Sequence, residues 1–162
     1  MEKEFLQIIQ KNQGIIHKVC NLYCDSQEDR SDLFQEIVAQ LWKSFPSFRR
    51  ESKVTTWMYR VALNTAITSF KKSKRRPDQS SLTYENFQLE DEGYDTETEE
   101  NIKMLHAAVS QLTGVEKSII LLYLENRKYE EIAEITGITQ NYVRVKMNRI
   151  KKKLKKLMVN EE

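Results

Sequence analysis

Asn141, Arg144, Asn148, Lys151 and Lys155 recur at intervals of three and four residues. On a helix that spacing puts all five on one side. Their chemistry is that of reading a duplex. Arginine offers paired donors to guanine, and asparagine pairs bidentately with adenine. Lysines hold phosphates. Tyr142 and Arg149 lie on the same stretch and join the candidate set. The bland reading is a basic amphipathic helix.

A second set lies about eighty residues earlier. Phe48, Trp57, Tyr59 and Phe70 interleave with Arg49, Arg50, Lys53, Arg60 and the run from Lys71 to Arg76. Aromatic faces stack on unpaired bases while cations follow the backbone, which suits single-stranded nucleic acid. Equally, Trp57 and Tyr59 could be core residues and the charges solvent-facing. Composition alone leaves these two readings balanced.

Other constellations are weaker. His17, Cys20 and Cys24 give HxxCxxxC, which supplies three ligands at most, whereas a structural metal site needs about four. Their apolar setting, "GIIHKVCNLYC", reads as a packed helix face. A disulfide at one-turn spacing would strain the backbone. Glu130 and Glu131 resemble paired acids but sit where a helix N-terminus favours negative charge. There is no Gly-rich phosphate loop, and the two histidines, His17 and His106, are far apart. No catalytic residue, metal or cofactor is expected.

Helices must position these groups. The chain has 162 residues with four glycines and two prolines. That suits one domain or two small ones, rich in helix. No run of about eighteen apolar residues suggests a membrane span. "MEKEFLQIIQ" lacks the pattern of a secretory signal, so a cytoplasmic protein without membrane insertion is expected. Phe5, Leu6, Ile9, Ile16, Val19 and Cys20 recur at helical intervals, and "CDSQEDRS" interrupts them. Leu33, Phe34, Ile37, Val38, Leu41 and Trp42 form an apolar stripe, with Asp32, Gln35, Glu36 and Lys43 facing elsewhere. "SFPSFRRESK" reads as a loop at Pro46. A helix follows from Val54 to Arg76, with Trp57, Val61, Asn64 and Thr65 at helical spacings. The last block restarts at Asn101 with four helices: "IKMLHAAVSQL", "GVEKSIILLYLENR", "YEEIAEIT" and "QNYVRVKMNRIKKKLKKLM". Within it Ala133, Gly137, Ile138 and Thr139 supply a close crossing, a left-handed turn residue, an apolar plug and an N-cap. These are the parts of a helix-turn-helix. Val143, Met147, Ile150, Leu154 and Leu157 line its core side.

Charge divides the chain in the same way. Residues 1–76 carry 14 Lys/Arg against 8 Asp/Glu, residues 77–100 carry none against 9, and residues 101–162 carry 12 against 7. Two basic blocks flanking an acidic one point to a polyanion touched in two places. Residues 77–100 have too few apolar groups to offset ordering entropy and read as a flexible linker. The fold class is therefore all-α, with two helical domains, 1–76 and 101–162, joined by that acidic linker.

With both blocks in view, the chain resembles the small extracytoplasmic-function (ECF) group of bacterial RNA polymerase sigma factors. "DLFQEIVAQLW" and "SFRRESKVTTWMYRVALNTAI" are similar to region 2, and "LTGVEKSIILLYLENRKYEEIAEITGITQNYVRVKMNRIKKKL" to region 4. The resemblance implies a specificity subunit that directs core polymerase to promoters and starts strand opening, without covalent chemistry. It implies that Asp32, Gln35 and Glu36 dock on the clamp helices of the polymerase's largest subunit, with the flap region a further contact. It implies that the loop from Phe45 to Lys53, with Phe48, Trp57, Arg60, Asn64, Lys71 and Lys72, handles single-stranded −10 DNA. Asn141, Tyr142, Arg144, Asn148, Arg149 and Lys151 would read duplex at −35. An anti-sigma factor, commonly membrane-anchored in this group, is the further partner implied. The stretch before Phe5 is too short for the N-terminal inhibitory region of primary sigma factors, so none is expected, and no third domain is expected between the blocks. Two departures stand out. Many members carry proline after the leucine that opens region 4, whereas Leu112 is followed by Thr113 and Gly114. "ENRKYEE" lacks the glycine often found before the helix-turn-helix. The rival readings are an ordinary helix-turn-helix regulator, which leaves "DLFQEIVAQLW" without a purpose, and a module that only sequesters an anti-sigma factor.

Overall fold

The structure, a computed structural model, describes residues 1–48, 50, 52–74 and 96–159, leaving aside the side chain of Lys74. Among them are eight α-helices and one 3₁₀ turn, with no strand. The first half holds α1 (Glu2–Lys11), α2 (Gln13–Tyr23), α3 (Gln27–Ser44), the 3₁₀ turn Phe45–Ser47 and α4 (Val54–Lys74). The second holds α5 (Thr96–Ser110), α6 (Gly114–Leu124), α7 (Tyr129–Thr136) and α8 (Gln140–Val159).

Local chemistry sets several boundaries. Ser26 caps α3, its hydroxyl accepting from the Asp29 N–H at 3.0 Å, with Glu28 and Asp29 in the favoured first turn. Pro46 lies at the start of the 3₁₀ turn that follows α3. The last block begins earlier than Asn101. Residues 75–95 lie outside the described residues, but Thr96 to Glu100 are already helical. Glu97 and Glu99 occupy the first turn of α5, where the helix dipole favours acids. The acidity that reads as linker therefore serves a helix start here. At the other end α6 stops at Leu124, short of Arg127, because Asn126 turns left-handed with φ 62°.

Core packing follows the apolar stripes. Ile16, Val19, Ile37, Leu41, Met58 and Ala62 are fully or almost fully buried where α2, α3 and α4 meet. The stripe on α3 is narrower than its sequence suggests. Trp42 stays 44% exposed, packing only edge-on against Phe5 at 4.9 Å, and Leu6 is half exposed. In the second half Leu112, Ile119, Leu122, Ile132 and Met147 fill the centre. Thr113 and Glu116 form a reciprocal capping box at the start of α6, with bonds of 3.2 and 2.9 Å. Burial pushes the Glu116 carboxyl up. The Thr113 N–H and Lys153, 3.2 Å away, outweigh it and leave the pKa below the ordinary glutamate value. Thr113 thus supplies the N-cap of α6 directly after Leu112.

The halves pack on each other. α6 and α7 lie against α4, and α6 also touches α2. The Tyr23 hydroxyl donates to the Gly114 carbonyl at 2.6 Å across that junction.

Candidate nucleic-acid interface

The basic set from Asn141 to Lys155 is built on the helix-turn-helix. Gly137 ends α7 with φ 81°, a left-handed geometry that costs an L residue its Cβ clearance from its own backbone. Thr139 then caps α8, its hydroxyl accepting from the Tyr142 N–H at 3.1 Å. Ile138 packs between them against the core. Nothing lies within 4 Å of a Cβ built on Gly137, so Gly137→Ala carries only the backbone term. The expected loss is about 1–2 kcal/mol in urea unfolding. A loss near zero would show that the turn relaxes to another conformation.

From that cap α8 presents two sides. Val143, Met147, Ile150 and Leu154 are buried. Asn141, Arg144, Asn148, Lys151 and Lys155 are all exposed. By helix geometry the two sets are centred about 110° apart. Tyr142 and Arg149 are exposed on a neighbouring side. The Lys146 ammonium lies 5.6 Å from the Tyr142 ring centroid, and Lys151 lies 4.8 Å from that of Tyr123. The structure therefore gathers all six expected −35 residues on the outer half of one helix.

The earlier set around Trp57 is placed differently. Arg60, Asn64 and Lys71 form one exposed stripe along α4, with Lys72 exposed beside it and Lys53 exposed just ahead of the helix. Trp57 points from the same stripe but is only 7% exposed. Its ring stacks on Phe48 at 4.7 Å and lies 6.0 Å from Phe45. Phe48 is half-buried and covers it. Tyr59 is 2% exposed, with the Arg127 guanidinium 5.3 Å from its ring centroid. Phe70 packs edge-on against Tyr23 at 5.7 Å. The aromatic members of this cluster are thus engaged in protein packing, and the polar members form the open surface. Arg49, Glu51, Arg75 and Arg76 lie outside the described residues.

Asp32, Gln35 and Glu36 are exposed together on α3, one turn apart. Their spacing follows from the burial of Leu33, Ile37 and Leu41 on the opposite side. His17 and the cysteines do not converge on a ligand. The His17 ring packs 4.9 Å from Phe34, and burial pushes the Cys20 and Cys24 thiols up to about 11 and about 12.

Lys18, Tyr23, Lys117, Glu125 and Arg127 carry the junction between the halves, and periodicity gives no sign of them. The Thr113-x-x-Glu116 capping box is the one missed feature with a sequence signature.

Comparison with known proteins places this geometry. The family model for Sigma-70 region 2 matches residues 8–76, and that for Sigma-70, region 4 matches residues 102–154. The chain is 31% identical over 143 residues to RNA polymerase sigma factor SigV of Bacillus subtilis (strain 168), covering 86% of this chain and 82% of that protein. It is 30% identical over 173 residues to an ECF RNA polymerase sigma-E factor of Haemophilus influenzae, covering 97% and 90%. Among solved structures, the sigma factor RpoE in complex with the anti-sigma factor NepR from Bartonella quintana superposes with a TM-score of 0.72 at 16% identity. That match covers 99% of this chain and 98% of the other. CnrH in complex with the cytosolic domain of CnrY gives 0.70 at 13% identity, covering 100% and 92%. At these identities the structural likeness speaks for the fold.

Proposed function

This chain belongs to the ECF group of bacterial RNA polymerase sigma factors, which recognise promoters and initiate transcription, and from that premise we propose how its residues divide the work. Residues 1–76 form the polymerase-docking and −10 unit, residues 77–100 the acidic connection, and residues 101–162 the −35 unit. The single observation that carries this division is the set of exposed polar stripes on α3, α4 and α8, each backed by a buried apolar side. Asp32, Gln35 and Glu36 meet the clamp helices of the largest polymerase subunit, with the flap region as a further contact. Asn141, Tyr142, Arg144, Asn148, Arg149 and Lys151 read duplex at −35. Phe48, Lys53, Arg60, Asn64, Lys71 and Lys72 hold the opened −10 strand, and Trp57 supports the Phe48 ring from beneath. Extruding a base costs a few kcal/mol of stacking, offset by contacts of this kind. The chain acts as a specificity subunit and performs no covalent chemistry. It works in the cytoplasm beside the polymerase; no described helix is long and apolar enough to cross a membrane. An anti-sigma factor is a further partner, a reading supported by the fold likeness to RpoE, which was solved in complex with the anti-sigma factor NepR.

Two variants test the division. Asp32→Lys with Glu36→Lys reverses two exposed charges and leaves the core of α3 untouched. Its affinity for core polymerase is expected to fall by about tenfold or more, since truncating or reversing interfacial charges commonly costs above 2 kcal/mol. Unchanged affinity in a fluorescence titration would remove α3 from the docking surface. Asn64→Ala is expected to relax selection at one −10 base while polymerase affinity stays at the wild-type value. Loss of polymerase binding by that variant would refute the assignment.

A further inference from the structure

Helix α8 carries an apolar side chain that folding does not account for. Val145 is 39% exposed and stands outside the apolar core. Successive residues of a helix turn by about 100°, which sets Val145 about 170° from the centre of the buried side formed by Val143, Met147, Ile150 and Leu154. It therefore projects straight away from the rest of the protein. A scattered surface valine needs no explanation of its own. Two features set this one apart. The first is its type: a β-branched residue in an exposed helix interior has a lower helix propensity than the lysines that fill the following turns. The second is its company.

Residues three and four apart are neighbours on a helix surface. The neighbours of Val145 are Asn141, Tyr142, Asn148 and Arg149, all exposed. Those are four of the six residues assigned above to the −35 duplex, and a contact that engages all four covers Val145 as well. Its position along the helix suits bases rather than phosphates. Thr139 caps α8, and Val145 follows in the second turn. The first turns of a recognition helix are the part that meets base edges. A branched apolar side chain has no hydrogen bond to offer there. The major groove presents one methyl group, on C5 of thymine. The asparagines on either side favour adenine, through N6 and N7. Each adenine they select brings a thymine into the same groove as its pairing partner.

We propose that Val145 is a specificity-determining residue of this chain, which packs on a thymine C5-methyl in the −35 element and selects an A·T pair at that point. This rests on the −35 role proposed above for α8. Val145 adds apolar contact to a set that otherwise works by hydrogen bonds and charge. Burying one methyl-sized group corresponds to about a fourfold change in affinity.

Deoxyuridine in place of thymidine tests this with the unaltered chain. The substitution removes the C5-methyl and keeps every hydrogen-bonding group of the base. Holoenzyme assembled from core polymerase and this chain is assayed in competition on a promoter that it initiates, substituted one thymidine at a time on both strands of the −35 element. At least one position is expected to lose about fourfold in relative initiation. With Val145→Ala holoenzyme the intact promoter is expected to weaken by a similar factor, and the deoxyuridine at that position to cost nothing further. No sensitive position with the unaltered chain, or the same penalty retained by Val145→Ala, would overturn the proposal. Full base-pair substitutions in the same element score the parent reading separately. If these alter initiation while every deoxyuridine is silent, α8 still reads −35 and Val145 takes no part. If the base-pair substitutions are silent as well, the −35 assignment itself falls, and the role of Val145 with it.

Discussion

Replacing Trp57 with alanine is expected to destabilise the fold by about 3–5 kcal/mol, the range for truncating a large buried aromatic. Trp57 is 7% exposed and stacked on Phe48 at 4.7 Å, with Phe45 also beside it. The cavity would open beneath the half-buried Phe48 ring, so any loss of promoter opening would follow from a loosened support. Urea denaturation followed by circular dichroism measures the stability change. A loss below about 1 kcal/mol would mean that the ring is free, and would restore direct stacking on a base as its role. Trp57→Phe separates the two further, since it keeps most of the apolar burial.

Replacing Arg144 with alanine is expected to cost about 1–3 kcal/mol of discrimination at one −35 base pair, or roughly five- to 160-fold in relative promoter use. Arg144 is exposed on the side of α8 away from Val143 and Met147, so folding stability should stay within about 0.5 kcal/mol of wild type. Competition among promoters carrying each −35 substitution measures the effect. A uniform loss on every sequence would assign Arg144 to a phosphate instead, with a correspondingly shallower salt dependence.

The helix-turn-helix was legible because its signals are local. Gly137 supplies the left-handed turn, Thr139 the cap, and the residues from Val143 to Leu154 the apolar period. The stripe on α3 was legible for the same reason, apart from Trp42, whose exposure depends on how far α1 covers it. Trp57 and Tyr59 could not be decided from spacing, because an aromatic residue at helical intervals serves a core and a stacking surface equally well. The three-dimensional answer is that both are buried, Tyr59 under Arg127 from the other half. The junction itself was illegible. Tyr23 and Gly114 have no shared periodicity, and their contact depends on the path of every helix between them. The start of α5 was obscured by acids whose meaning changes with context: in a long run they read as a tail, and in a first turn they stabilise a helix.

The central claim is that this chain gives core polymerase its promoter choice. Abortive transcription from a promoter library, with core polymerase alone and with this chain added, measures that directly. The expected result is new initiation from a narrow set of templates sharing one −35 and one −10 sequence. Templates altered at either element should drop out, and core polymerase alone should give none of them. An unchanged template profile on adding the chain, together with tight duplex binding by the chain alone, would contradict the account and leave an ordinary helix-turn-helix regulator.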